Sequence, residues 1–226
     1  MQKKFKVLGV LLLIFVLATA SFAQAAPAVI EAKVIKHVDG DTVYVQIGKT
    51  TEKIRFIGVD TPESTIQHEP YGTEASNYTK KMLLGKKVYL QKDVQERDKY
   101  GRLLVYVWLK KPTTGSNSEA TKYMFNAILV KNGYAQVMTI PPNVKYAGLF
   151  VSLQNQARAA HKGLWGLSAS NPSSKTPQTQ TVYVTNTGTK YHREGCKYLT
   201  KSKIPISLKD AKAQGYEPCK VCNPPK

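Results

Sequence analysis

Hydrophobic and polar residues alternate along several short stretches of the first half of the chain, as they do in β-strands that bury one face. The alternation is clearest at 43–47, where valine and isoleucine occupy every second position. Residues that favour strands also dominate 54–57, 88–90 and 103–109. Together these stretches predict about five strands.

Helical spacing of apolar residues appears in three other stretches, each of which ends shortly before a glycine suited to a helix C-terminus. The three stretches are 75–82, 124–129 and 146–157. Strands followed by helices, with one helix between them, predict an α+β fold arranged around a small closed barrel.

The first 25 residues have the pattern of a secretory signal peptide. Lysines near the start precede an apolar stretch at 7–20, and a stretch rich in small residues follows at 21–25. The apolar stretch is shorter than a typical membrane-spanning helix. We therefore expect residues 1–25 to be removed and the mature protein to be secreted, either free or associated with the cell wall, without stable membrane insertion.

A polar segment at 168–181 divides the rest of the chain. It is rich in Ser, Thr, Gln and Pro and shows no apolar periodicity, which predicts a flexible linker. It separates a domain at 26–167, which carries the strand and helix patterns, from a small module at 182–226, which carries all three cysteines.

The chain is strongly basic, with a formal net charge of +18 over 226 residues. Such an excess favours a polyanionic partner, of which nucleic acid is the commonest. Teichoic acids and anionic lipids would fit the same charge, so the charge indicates the class of partner and not the chemistry.

Acidic residues and arginines recur in a pattern typical of a phosphate-handling metal site. The segments 39–41 and 60–63 supply several carboxylates, Arg55 lies between them, and 98–102 adds a second acidic and basic pair. Carboxylate oxygens suit Ca²⁺, whereas zinc prefers histidine or thiolate. Period-two alternation also directs Arg55 away from a core that Ile54 and Phe56 would face.

With these motifs in place, the chain resembles the staphylococcal nuclease (thermonuclease) family from about residue 29 to about residue 167. The resemblance implies an OB-type five-stranded β-barrel with three helices, a fold that often binds oligonucleotides. It also implies that Asp41, Asp60 and the backbone carbonyl of Thr61 hold Ca²⁺, with Asp39 behind these ligands.

The same resemblance assigns the catalytic roles. Glu63 would position or deprotonate the attacking water, and Arg55 and Arg102 would grip the phosphate. Lys99 and Tyr100 would contact the substrate, because an aromatic ring can stack on a base and contribute about 1–3 kcal/mol. Two departures affect substrate preference: 137–141 offers no tyrosine beside the base, and the loop between Glu63 and Tyr71 is short.

The function implied is that of a monomeric, calcium-dependent, sugar-nonspecific endonuclease that cuts DNA and RNA, single-stranded or as frayed duplex, and leaves 3′-phosphate ends. A rival interpretation is a non-catalytic OB-fold protein that binds single strands. A basic surface adhesin is a third, and it predicts no dependence on Glu63.

The cysteine-bearing module carries a separate motif. His192, Cys196, Cys219 and Cys222 form two close pairs at the spacing of a structural zinc site. The surrounding sequence resembles the metal-binding domain of the Ada DNA-repair protein, with histidine in place of its first cysteine. A disulfide remains the alternative in an exported protein. The sequence predicts a module that folds on zinc and leaves the active site alone. Its lysines favour extra contact with nucleic acid or form a solvated surface, and binding to cell wall or to another protein is a further alternative.

Overall fold

The computed structural model describes residues 26–65, 69–167 and 180–225. The predicted signal peptide and most of the predicted linker lie outside the described residues. Within these ranges, the search for a helix both long enough and apolar enough to span a bilayer finds none.

Seven strands form in the described part of the first domain, five long and two very short. They are β1 (Ile30–Asp39), β2 (Thr42–Ile47), β3 (Thr50–Phe56), β4 (Val59–Asp60), β5 (Lys87–Gln91), β6 (Leu103–Trp108) and β7 (Gln136–Val137). The five long strands close into a barrel in the order β1-β2-β3-β6-β5, and β4 pairs with β7 outside it. The expected five-stranded barrel is confirmed.

Strand β1 was not identified by its hydrophobic pattern, for a physical reason. Its pairing with β2 shifts register between Val34 and Lys36 and again between His37 and Asp39. Each irregularity adds a residue that breaks the period of two. As a result, the consecutive residues Ile35 and Lys36 are both exposed, and the alternation that buries Ala32 and Val34 does not continue.

Five helical segments complete the described part of this domain. They are α1 (Gly72–Leu83), α2 (Asn117–Tyr123), α3 (Phe125–Lys131), α4 (Ala147–Ala159) and the single turn α5 (Leu164–Leu167). The stretch expected as the second helix starts one residue late, because Met124 is extended and pairs with Trp108 of β6. Phe125 then packs edge-on against Phe56 of β3, with ring centroids 5.9 Å apart, and joins the helices to the barrel core.

The C-terminal module folds around a small core of its own, which includes Val182, Tyr191 and Ile206. Its elements are β8 (Thr181–Val184), β9 (Lys190–Tyr191), a 3₁₀ turn (Lys197–Leu199), β10 (Ile204–Ser207), α6 (Leu208–Ala213) and β11 (Glu217–Pro218). Strand β8 pairs antiparallel with β10, and β9 pairs parallel with β11.

Candidate active site

Arg55 of β3 lies at the centre of the site. Its neighbours Ile54 and Phe56 are buried in the barrel, so strand alternation turns the guanidinium the other way, as predicted. The side chain is only 12% exposed, because Nη1 donates to the carbonyls of Phe56 and Val59, at 3.0 and 2.7 Å. The guanidinium is thus fixed to the turn between β3 and β4.

Two carboxylates meet at the other end of this guanidinium. Arg55 Nη2 lies 3.0 Å from Asp41 Oδ2 and 2.9 Å from Asp60 Oδ1. Thr61 donates to the same Asp41 oxygen from its backbone N–H at 3.1 Å and its hydroxyl at 3.2 Å. The structure therefore brings together Asp41, Asp60 and Thr61, the three residues expected to bind calcium.

Close packing behind this cluster requires glycine at position 40. A Cβ atom there would lie 2.6 Å from the Thr61 hydroxyl oxygen, closer than real contacts allow. Any side chain at this position would push Thr61 away from Asp41. Gly40 therefore keeps the β1–β2 turn against the segment that carries the carboxylates.

Asp60 is only partly buried, yet its proton affinity is perturbed. Burial raises the pKa of its carboxyl group, the Arg55 charge opposes that change, and Asp41, Asp210 and Glu69 raise it further, to about 6. A bound cation would stabilise the ionised form, since positive charge lowers a carboxyl pKa.

Glu63 lies beyond Pro62 on the same segment, beside Asp39. Its carboxylate accepts hydrogen bonds from the hydroxyl and the backbone N–H of Thr65. These bonds, with a smaller contribution from Arg55, lower the pKa of Glu63 despite partial burial, so the group is ionised at neutral pH. An ionised carboxylate is the form that can accept a proton from water.

Asp39 is held more firmly than Glu63. Ser64 Oγ donates to Asp39 Oδ1 at 2.6 Å, and the N–H of Gly40 donates to the same oxygen at 2.8 Å. Burial raises the pKa of Asp39, and the neighbouring Glu63 adds to that increase. Through Ser64, Asp39 braces the loop that carries Glu63, and its place behind the calcium ligands stays a prediction.

Arg102 is positioned by a turn that begins at Asp98. The Asp98 carboxylate accepts from Arg102 Nε at 2.6 Å and from the backbone N–H groups of Tyr100 and Arg102, at 2.9 and 3.0 Å. The Tyr100 ring is 71% exposed, with the Arg102 guanidinium 5.4 Å and the Lys99 amine 5.0 Å from its centroid. Arg102, Lys99 and Tyr100 therefore form one basic and aromatic surface.

A pocket of about 400 Å³ joins Arg55 to this surface. The residues that line it include Arg55, Lys99, Tyr100 and Arg102, together with the apolar side chains of Met138 and Ile140. The two arginines expected to grip a phosphate thus open onto the same space, which is large enough for a nucleotide-sized group.

The donor set of the carboxylate cluster fits calcium. Asp41 and Asp60 offer hard oxygen atoms and already surround a positive group, the Arg55 guanidinium. Calcium accepts such oxygens in irregular geometry. Asp41, Asp60 and the Thr61 carbonyl are the atoms that would hold it.

Two positioning roles were not predicted from the sequence, although Asp98 itself belongs to the acidic and basic pair noted at 98–102. Asp98 anchors Arg102, and an aspartate opening a turn that closes with a positive-φ glycine, here Gly101, was the available signal. Asn143 exchanges hydrogen bonds with the backbone of Gln95, at 2.7 and 2.8 Å, and so ties two walls of the pocket together. No local pattern marks Asn143, because its partner lies 48 positions away.

The module brings its four predicted metal ligands together. His192 follows β9 and Cys219 follows β11, and the in-register pairing of these two strands makes the residues neighbours. The ligand atoms of His192, Cys196, Cys219 and Cys222 all lie within 4.8 Å of one another, and all four residues are buried. In a tetrahedral zinc site these atoms lie roughly 3.5–3.8 Å apart, so a small contraction would complete it.

The chemistry of this cluster also suits a metal. The three cysteines are free thiols. Burial lowers the pKa of His192, which favours the neutral imidazole that binds metal. Among the described residues, this is the one group of three or more His, Cys, Asp or Glu side chains close enough to share an ion.

A closed OB-type barrel that presents paired carboxylates and paired arginines at a nucleotide-sized pocket defines a phosphodiester-cleaving class of protein. Residues 53–167 match the family described as Staphylococcal nuclease homologue. The chain belongs to this family, and the match ends before the C-terminal module.

Individual relatives point the same way. The chain is 42% identical over 136 residues to the Thermonuclease of Staphylococcus hyicus, covering 59% of this chain and 74% of that protein. The Thermonuclease of Staphylococcus intermedius is 40% identical over 139 residues, covering 60% and 76%. Endonuclease YncB of Bacillus subtilis (strain 168) is 32% identical over 156 residues, covering 67% and 63%. The expectation of a nuclease is confirmed at this level, whereas the role of each site residue stays a prediction.

Proposed function

We propose that this chain is a secreted, calcium-dependent endonuclease that hydrolyses DNA and RNA to products with 3′-phosphate ends, and that its C-terminal module holds one Zn²⁺. The proposal of secretion rests on the sequence pattern of residues 1–25. The proposal of nuclease activity rests on the family to which the chain belongs and on the geometry of the candidate active site.

One observation carries the catalytic proposal: Arg55 connects every part of the site. Its guanidinium contacts Asp41 and Asp60, lines the pocket together with Arg102, and helps to lower the pKa of Glu63. A binding protein needs no such convergence of metal ligands, base and phosphate-binding groups. A nuclease needs all of them within reach of one phosphate.

The roles assigned to these residues amount to hydrolysis of a phosphodiester bond. Glu63 takes a proton from water as the water oxygen attacks phosphorus, and the bond from phosphorus to the 5′ oxygen breaks. The leaving oxygen gains a proton and becomes a 5′-hydroxyl, and the phosphate remains on the 3′ side. Arg55 and Arg102 offset the charge that develops on the phosphate oxygens. Bound Ca²⁺ would supply further positive charge at the same place.

Cleavage in this manner does not involve the 2′-hydroxyl of RNA. The attacking oxygen comes from water, so ribose and deoxyribose substrates react alike. The proposal therefore includes both nucleic acids, with single strands and frayed duplex ends favoured because their phosphates and bases can enter the pocket.

The test is to incubate purified protein with labelled single- and double-stranded DNA and RNA, with Ca²⁺ or with a calcium-selective chelator. We expect cleavage only with Ca²⁺, and new 5′ ends that accept phosphate directly from a polynucleotide kinase. Tight binding without cleavage would favour the rival single-strand-binding protein. Cleavage that persists in the chelator would contradict the calcium assignment.

The zinc assignment has a separate test. Metal analysis of protein purified without added zinc should give one zinc per chain, and thiol titration of the native protein should find the three cysteines protected until a chelator is added. Absence of zinc together with one reactive thiol would instead mean that two cysteines form a disulfide.

A further inference from the structure

The segment 136–144 separates the substrate pocket from the C-terminal module. On one side, Met138, Ile140 and Asn143 line the pocket that contains Arg55 and Arg102. On the other side, Met138 borders a second cavity, of about 310 Å³, whose far wall includes Lys209 and Asp210 of the module. The same short segment therefore borders both the substrate pocket and the module.

Direct contacts hold the module against this segment. Gln214 Nε2, at the end of α6, donates to the carbonyl of Thr139 at 2.8 Å. Val144 packs against the apolar core of the module, and α4 packs against β10. The sequence interpretation, a module on a flexible linker that leaves the active site alone, did not include these contacts. The polar linker gave no signal of them, because docking depends on surfaces distant in sequence.

The segment has little regular structure to fix its shape. Strand β7 ends at Val137, and the following residues are held by isolated bonds, such as Met138 N–H to the Gly58 carbonyl at 3.1 Å. Thr139 is nevertheless 2% exposed. A backbone carbonyl in a buried position needs a partner, and the module supplies that partner through Gln214.

We infer that the C-terminal module positions the wall of the substrate pocket, with Gln214 as the positioning residue, so that an intact module sets the affinity of the site for nucleic acid. The inference rests on the proposed nuclease function. It adds a second role to the metal cluster, since folding of the module on zinc would also order the segment at 136–144.

Substitution at Gln214 tests this directly in the full-length protein. Gln214→Met keeps the length of the side chain and its charge but removes the donor, whereas Gln214→Lys retains a donor. Gln214 is itself exposed, so neither change removes core packing. Gln156→Met, on the exposed face of α4, is the matched control.

Two measurements do not depend on cleavage. The first is the Kd of a fluorescent single-stranded oligonucleotide in a calcium-chelated buffer, and the second is hydrogen exchange in peptides covering 138–144. For Gln214→Met we expect a Kd increase of about two- to tenfold, the effect of one net hydrogen bond, and faster exchange. Gln156→Met should match the original protein in both measurements. Gln214→Lys should match it in hydrogen exchange, the measurement that its added positive charge does not affect directly.

Steady-state kinetics then separate positioning from chemistry. For Gln214→Met we expect KM to rise with Kd while kcat stays within about twofold of the original, because the reacting groups are untouched. Unchanged Kd and exchange in Gln214→Met, or an equal effect of Gln156→Met, would overturn the inference. If the original protein binds but does not cleave, the proposed function fails while the Kd and exchange data still decide the role of Gln214.

Discussion

Replacement of Glu63 by glutamine isolates the predicted general base. The Glu63 carboxylate accepts hydrogen bonds from the Thr65 hydroxyl and N–H, and the amide oxygen of glutamine can accept the same bonds. Local structure should therefore persist, and the change removes the capacity to take a proton together with one negative charge. Loss of a general base lowers kcat by about 10²–10⁴-fold, which corresponds to about 2.7–5.4 kcal/mol in activation free energy.

Glu69 provides a control for charge in the same loop. Its Oε2 accepts from the Glu63 backbone N–H at 3.0 Å, a bond that the amide oxygen of Glu69→Gln can retain. Both variants lose one negative charge beside the site. If Glu63 acts as the base, Glu69→Gln should keep kcat within a few-fold of the original.

The assay is single-turnover cleavage of a short labelled oligonucleotide at saturating Ca²⁺, with thermal unfolding of each variant measured in parallel. Single-turnover conditions report the chemical step without product release. Turnover of Glu63→Gln within threefold of the original, in a protein with unchanged unfolding, would refute the assignment. Equal losses in Glu63→Gln and Glu69→Gln would attribute the effect to loop charge.

Two further predictions concern charge in other parts of the domain. Arg102→Ala should lower kcat by at least about 10²-fold with a modest change in Kd, because the Arg102 charge is needed most in the transition state. If affinity falls while kcat is unchanged, Arg102 would instead serve only to anchor a phosphate. Glu119 accepts backbone hydrogen bonds from Thr113, Thr114 and Gly115, which outweigh the desolvation that opposes them and lower its pKa to about 2. Because the folded-state pKa is below the usual 4.5, this stabilisation is complete above pH 4.5 and is lost as pH falls towards 2. Glu119→Gln should lower the free energy of unfolding by about 1 kcal/mol at pH 7, after allowance for solvent screening, and should leave it unchanged near pH 2. Denaturant unfolding at both pH values measures this difference. An equal loss at both pH values would contradict the prediction.

The sequence predicts the barrel well where local pattern and tertiary environment agree. Alternation identifies β2, and residues that favour strands identify β3, β5 and β6. Alternation does not identify β1, because two register shifts interrupt its period. The extended Met124 likewise cannot be read from helix-forming residues, since its pairing with Trp108 is a tertiary contact.

The contacts of the candidate site also divide into local ones, which the sequence can predict, and long-range ones, which it cannot. Hairpin pairing of Thr42 with Arg55 places Asp41 near the guanidinium, and the turn at Gly58 returns Asp60 to it, so short-range geometry alone makes the cluster predictable. The anchoring of Arg102 by Asp98 is also local. Contacts between distant segments, such as Asn143 with Gln95 and Gln214 with Thr139, carry no sequence signal and appear only in the fold.

The residues that line the pocket also determine how strongly the site distinguishes one base from another. The segment 137–141, which offers no tyrosine beside the base, forms part of this lining. Met138 and Ile140 face the pocket with apolar side chains, while the amide oxygen and nitrogen of Asn143 are both engaged by the backbone of Gln95. Polar atoms that pair within the protein do not read base edges, and direct readout of a base requires donors and acceptors. Stacking on Tyr100 and contact with apolar side chains act on any base, because every base has an aromatic face. Arg55 and Arg102 line the same pocket, and the phosphate contacts predicted for them carry no sequence information. Affinity in this site should therefore depend strongly on salt and weakly on base identity.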